Sequence, residues 1–231
     1  MLSRIRRFGF CLLYNECAFI YDFVSRSVSL GRWHCWQRSV MKYLPEPAAG
    51  VVFELAHGSG DLQVDLAKAG YCAMGLDLSR SMGRQTKRKL TKNGCGARLM
   101  RGDALHLPLR TNSIAALVCT FPTAFIIQPR CLAEIARVLQ PGGHAVIVLS
   151  ARLTGGGALT FAIRSLYQLT GQSYDRIADD EICELFYSPG LMVEAGIACA
   201  NGSEAQIVIL RKARLASQWP DENSLELAQE A

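Results

Sequence analysis

From Val51 onward, short apolar runs alternate with longer stretches whose apolar positions recur every three or four residues. The first pattern fits strands and the second fits amphipathic helices. VVFEL from Val51 reads as a strand, and DLQVDLAKAG from Asp61 as a helix closed by Gly70. YCAMGLDL from Tyr71 is a strand, and the stretch from Ser79 to Gly94 a helix with Ser79 as its N-cap. Two further strands follow, ARLMRGD and IAALVCTF. PRCLAEIARVLQPGG then predicts a helix ending at Pro141-Gly142-Gly143, and HAVIVLS another strand. Strands joined by helices of about 10–15 residues imply right-handed crossovers and a parallel sheet covered on both faces.

Toward the C-terminus, residues 155–171 and the stretch DDEICELFYSPG read as helices. Two final strands meet at Asn201-Gly202, a strong hairpin signal. The chain ahead of Tyr43 is helical in pattern, and LPEPAAG, Leu44 to Gly50, breaks it as a linker. The expected organisation is a helical cap over 1–45, an α/β domain over 46–214 and a mobile polar tail over 215–231.

Composition narrows this picture little. A chain of 231 residues, half of them apolar, suits one α/β domain with modest additions. The net charge of +5 is concentrated near Arg4–Arg7 and in the stretch from Arg80 to Gly94. No aromatics interleave with the second run, so it reads as a solvated helix face rather than a nucleic-acid footprint. Nine scattered cysteines with no Cys-x-x-Cys, and four scattered histidines, offer no metal site and fit a reducing cytoplasm. The basic, apolar N-terminus lacks a cleavage site and is too interrupted to span a membrane. It reads as a cover for the core or a pocket, with peripheral membrane contact as the alternative.

The chemistry centres on ELAHGSG, where a strand ends in an acid and alternating glycines. A dinucleotide fingerprint would need a small residue where Gln63 stands, which disfavours a nicotinamide oxidoreductase. Asp77 ends the second strand, and Gly102-Asp103-Ala104 follows the third. Acids at such positions also serve as helix caps.

Taken in order, ELAHGSG, MGLDLS, RGDALHLPL and LAEIARVLQPGGHAVIV resemble the motifs of the class I S-adenosylmethionine-dependent methyltransferases. The resemblance implies a Rossmann-like, doubly wound seven-stranded sheet with a terminal antiparallel hairpin and a helical N-terminal cap. It implies S-adenosylmethionine as cofactor, held by Glu54, Ala56, Gly58, Gly60, Asp77, Leu78, Asp103, Ala104 and Thr120. Gly58 and Gly60 would let the backbone approach the ligand, and Asp77 would accept from the ribose hydroxyls. Asp103 and Ala104 would address the adenine, over which Leu78 packs. Ala56 stands in place of the family's first glycine, which is tolerable with a negative φ there; His57 reads as a bystander.

The N-terminal stretch with Tyr21, Asp22, Arg32 and Trp36 resembles the ubiquinone/menaquinone-biosynthesis type, which implies a small, hydrophobic acceptor. Candidates for a general base are His34, Tyr14, Tyr21 and Tyr174, while His144 reads as structural. Thr120, Phe121 and Pro122 are expected on the acceptor side. A methyltransferase-like binding or assembly protein without activity is the remaining alternative; nothing in the sequence fixes an oligomeric state.

Overall fold

A computed structural model of the chain describes residues 32–154, 176–200 and 202–214. The readings made for 1–31, for 155–171, for Tyr174, for Asn201 and for 215–231 lie outside the described residues. A short helix α1 (Trp33–Arg38) runs into a 3-10 turn (Ser39–Tyr43), and a second such turn (Pro47–Ala49) precedes the sheet. Then follow β1 (Val51–Leu55), α2 (Asp61–Lys68), β2 (Cys72–Asp77), α3 (Arg80–Lys92), β3 (Leu99–Arg101) and β4 (Ile114–Thr120). The remainder comprises α4 (Pro129–Val138), β5 (Leu139–Leu153), α5 (Asp179–Leu185), β6 (Leu191–Ala200) and β7 (Ser203–Lys212).

The seven strands lie in the order β3-β2-β1-β4-β5-β7-β6. Strands β1 to β5 are parallel, and β7 is antiparallel to both β5 and β6. Strands β6 and β7 pair along their full length, from Leu191 with Lys212 to Ala200 with Ser203.

The central strands β1 and β4 are apolar apart from Glu54 of β1 and Thr120 at the end of β4, because helices cover both faces of a parallel sheet. Phe53, Leu55, Leu117, Cys119 and Ile147 face Leu132 and Ile135 of α4 and Ile182 of α5. Val52, Ala116, Val118, Val146 and Val148 face Leu62 and Leu66 of α2, with Trp36 and Val40 from the N-terminal segment. Fully burying one such side chain stabilises the fold by about 1.5–3 kcal/mol. Among the described residues no helix is long and apolar enough to cross a membrane.

Local signals set the helix ends as expected. The Ser79 side chain accepts from the Met82 N–H at 3.3 Å, capping α3. Gly70 has φ 84°, and the bonds Gly70 N–H to Ala67 O and Tyr71 N–H to Leu66 O close α2.

One boundary differs from the reading of the sequence. Helix α4 stops at Val138, and Pro141-Gly142-Gly143 belongs to the start of β5. Leu139 pairs with Ile114, but His144 pairs with Ala116, so the intervening residues form a bulge. Proline cannot donate to the ladder and Gly142 adopts φ 78°, both suited to a bulge rather than to a helix end.

Candidate functional site

In an open parallel sheet the loops beyond the carboxyl ends of the strands gather at one edge. Here that edge carries the turn after β1, Asp77 and Leu78 after β2, Asp103 after β3, and Thr120 and Phe121 at the end of β4.

The turn after β1 is wound through three left-handed residues, Ala56 (φ 55°), Gly58 (φ 54°) and Gly60 (φ 82°). The expectation of a negative φ at Ala56 is overturned: the turn imposes its geometry on a residue with a Cβ. The two glycines have different reasons. A Cβ on Gly58 would meet nothing within 4 Å, so this residue faces open space. A Cβ on Gly60 would lie 2.3 Å from Thr86 Cγ2, so Gly60 lets α3 pack against the turn rather than clearing room for a ligand.

The Gly58 peptide is held on both sides. Its N–H donates to Asp77 Oδ2 at 2.9 Å. Its carbonyl accepts from the Thr86 hydroxyl at 2.8 Å and from His57 Nδ1 at 2.9 Å. A carbonyl only accepts, so Nδ1 carries the proton, and the buried Nε2 has no partner among the described residues. Burial pushes the His57 pKa down, against the neighbouring Asp77 charge. His57 is thus an internal support for Gly58.

Asp77 is buried, and its other oxygen accepts from the Ser79 N–H at 2.8 Å. Each carboxylate oxygen therefore receives one backbone N–H and keeps acceptor capacity. Leu78 beside it is 66% exposed, an apolar side chain turned outward at the carboxyl edge of the sheet. Asp103 is exposed and accepts from the Leu105 N–H at 3.0 Å. Its loop is clasped by α4: Arg137 donates to the Leu107 and Leu109 carbonyls, and Glu134 accepts from the Leu107 N–H at 2.7 Å. Ala104 sits in that loop, partly buried.

Glu54 is 1% exposed and accepts from Gln63 Nε2 at 2.8 Å. Burial pushes its pKa up to about 8; the Gln63 bond opposes this, while Asp77, Asp61 and Asp65 add to it. Gln63, which argued against a dinucleotide site by its size, is accommodated over Gly75: a Cβ there would come within 3.1 Å of its Nε2.

At the end of β4, Phe121 takes φ 53° and stacks on Trp33, with ring centroids 4.2 Å apart and planes 24° apart. Trp36 meets it edge-on at 6.3 Å and donates through Nε1 to Ser203 Oγ at 2.9 Å. Gln37 Nε2 reaches Thr120 Oγ1 at 3.4 Å. Trp33, Trp36 and Gln37 share one helix face, Trp36 and Gln37 following Trp33 by three and four residues, a spacing present in the sequence. His34 is half exposed, and its Nε2 lies 2.6 Å from Asp65 Oδ2 of α2, so a hydrogen bond to Asp65 occupies it. His144 is buried with Nε2 2.6 Å from the Tyr43 carbonyl, where it ties the N-terminal segment to β5.

Strand order, inserted antiparallel strand and glycine turn define the class I methyltransferase fold, and residues 52–143 match the family profile described as a methyltransferase domain. The chain's curated likenesses include the demethylmenaquinone methyltransferase of Thermus thermophilus, 31% identical over 139 residues, covering 59% of this chain and 63% of that one. They also include the ubiquinone/menaquinone biosynthesis C-methyltransferase UbiE of Syntrophotalea carbinolica, 30% identical over 139 residues and covering 59% of each chain. The chain thus spans 59–63% of the length of these two relatives. A SAM-dependent methyltransferase of Aquifex aeolicus shares the fold at TM-score 0.57 and 15% identity, over 77% of this chain and 89% of that one.

Proposed function

We propose that this chain is an S-adenosylmethionine-dependent methyltransferase whose acceptor is a small hydrophobic molecule of the quinone-related class. Residues 1–45 would cap the acceptor side, 46–214 form the catalytic domain, and 215–231 a tail. The work would be done in the cytoplasm, with contact between the N-terminal segment and a membrane surface as the alternative to its capping role.

The observation that carries the reading is the Gly58–Asp77 pair. It combines an open face at Gly58, which a Cβ would fill, with a buried carboxylate whose oxygens are oriented by two backbone N–H groups. These residues fit a nucleoside with a ribose diol. Asp77 would accept from both hydroxyls, and a charge-assisted bond of this kind contributes about 1.5–3 kcal/mol. The outward Leu78 supplies an apolar surface for adenine, while Asp103 accepts from its amino group and the Ala104 N–H meets a ring nitrogen. Glu54, Ala56, Gly58 and Gly60 line or shape the end that receives the amino-acid part, and Thr120 closes it from β4.

When bound, the cofactor supplies a methyl group made electrophilic by its sulfonium. The protein would hold the acceptor nucleophile in line with that carbon, and proximity would provide much of the acceleration. The aromatic wall of Trp33, Trp36 and Phe121 supports an apolar acceptor. A base must take the nucleophile's proton as the new bond forms. Tyr21 and Tyr174 remain candidates for it, whereas His34 is engaged by Asp65.

The test is titration calorimetry with S-adenosylhomocysteine and, in parallel, NADH, on the wild-type chain and on Asp77→Asn. Binding of the former alone, lost in the variant, supports the reading. Binding of NADH alone overturns it in favour of an oxidoreductase. Binding of neither moves the chain to a non-catalytic assembly role.

A further inference from the structure

We propose that Gln37, which lies on the N-terminal helix outside the glycine turn and the strand-end acids, binds the ammonium group of the methyl donor. This rests on the methyltransferase reading above.

Gln37 is 9% exposed, and its carboxamide nitrogen is directed at Thr120 Oγ1. The other end of the amide, Oε1, is buried without a hydrogen-bond partner among the described residues. A buried carbonyl oxygen with no donor is unfavourable, and most such groups in folded proteins find one. What it lacks is a donor.

The register shows where that donor would stand. Glu54 of β1 pairs with Val118 of β4, so Thr120, two residues on, lies level with Ala56 at the start of the glycine turn. Neighbouring strands are about 4.8 Å apart. The Gln37 amide, reaching Thr120 from α1, is thus at the rim between β1 and β4. On the methyltransferase reading, the amino-acid end of the donor would come to this rim, above Glu54.

Glu54 alone is a poor partner for a cation. Gln63 occupies one of its oxygens, and burial among Asp61, Asp65 and Asp77 favours its protonated form near neutral pH. An ammonium group carries three N–H donors and needs as many acceptors. The Gln37 oxygen provides one without adding a further negative charge to a rim that already holds several.

Calorimetry with two probes tests this: S-adenosylhomocysteine, and 5′-methylthioadenosine, which has the nucleoside but no amino-acid part. Gln37→Ala is expected to weaken S-adenosylhomocysteine about tenfold or more. It should leave methylthioadenosine nearly unchanged, and Gln37→Glu should retain S-adenosylhomocysteine. Equal weakening of both probes in Gln37→Ala would assign Gln37 to packing and overturn the proposal. So would an unchanged S-adenosylhomocysteine affinity, which would leave Oε1 to the acceptor. A larger loss in Gln37→Glu than in Gln37→Ala also overturns it, because the donor's carboxylate would then face this residue. Should the wild-type chain bind neither probe, the methyltransferase reading fails first and the proposal with it.

Discussion

Ala56 and Gly58 stand two residues apart at the end of β1 and share one backbone conformation, φ 55° and 54°. For glycine this is nearly free, whereas an L-residue in the left-handed region is strained by roughly 1–2 kcal/mol. Ala56→Gly removes the strain but returns about 0.5–1 kcal/mol of unfolded-state entropy. The expected outcome is a neutral to slightly stabilised fold, about 0.5–1 kcal/mol at most, read from urea midpoints. A clear loss of stability would mean that the Ala56 methyl contributes packing that outweighs its strain.

Gly58→Ala should behave differently. Its new Cβ clashes with nothing in the protein, so the fold loses only the left-handed strain, roughly 1–2 kcal/mol. The methyl group projects into the space proposed for the donor, however. Affinity for S-adenosylhomocysteine should fall far more than stability does, and a parallel decline in both would argue that the open face is not a ligand face.

Glu54 predicts a pH dependence with a definite sign. Burial pushes its pKa up to about 8 in the fold, against an ordinary carboxyl value of 4.5. A carboxyl with a raised folded pKa contributes fully below its unfolded pKa, and the contribution is lost as pH rises through the folded one. Glu54→Gln removes the titration and keeps an acceptor for Gln63. Stability of the variant relative to wild type should therefore rise between about pH 5 and pH 8. A flat difference across that range would place Glu54 in the ordinary carboxyl range.

Trp33 braces the strained Phe121. Trp33→Ala should cost about 1–3 kcal/mol from lost stacking and apolar burial. It should also weaken the apolar acceptor more than the donor. Comparing S-adenosylhomocysteine affinity with the acceptor KM checks this, and an equal effect on both would assign Trp33 to general support of the edge.

Local chemistry made much of this fold readable. Ser79 caps α3 because a short hydroxyl before a helix has a nearby N–H to accept from, and Asp77 ends β2 where an apolar run gives way to a turn. Pro141-Gly142-Gly143 misled because punctuation marks where a helix cannot continue, not where it stops. Pairing of Leu139 with Ile114 had already claimed the chain. Ala56 misled because its φ is set by neighbours: the His57 N–H bond to Leu76 O and the Gly58 bond to Asp77 leave the turn no other course. The Gln37–Thr120 contact joins residues 83 positions apart, and the Gln63–Glu54 pair crosses from helix to strand. Neither leaves a periodic trace.

The place of β7 bears on biosynthesis. Strand β5, fully buried from Ala145 to Val148, finds its second partner only in a strand that follows β6 in the chain. While translation proceeds, that long apolar edge has unpaired backbone groups, the kind of surface that recruits other strands. Nascent chains halted before Ser203 are therefore the ones that should aggregate or bind chaperones, and pelleting of released truncations at successive lengths would reveal where protection begins.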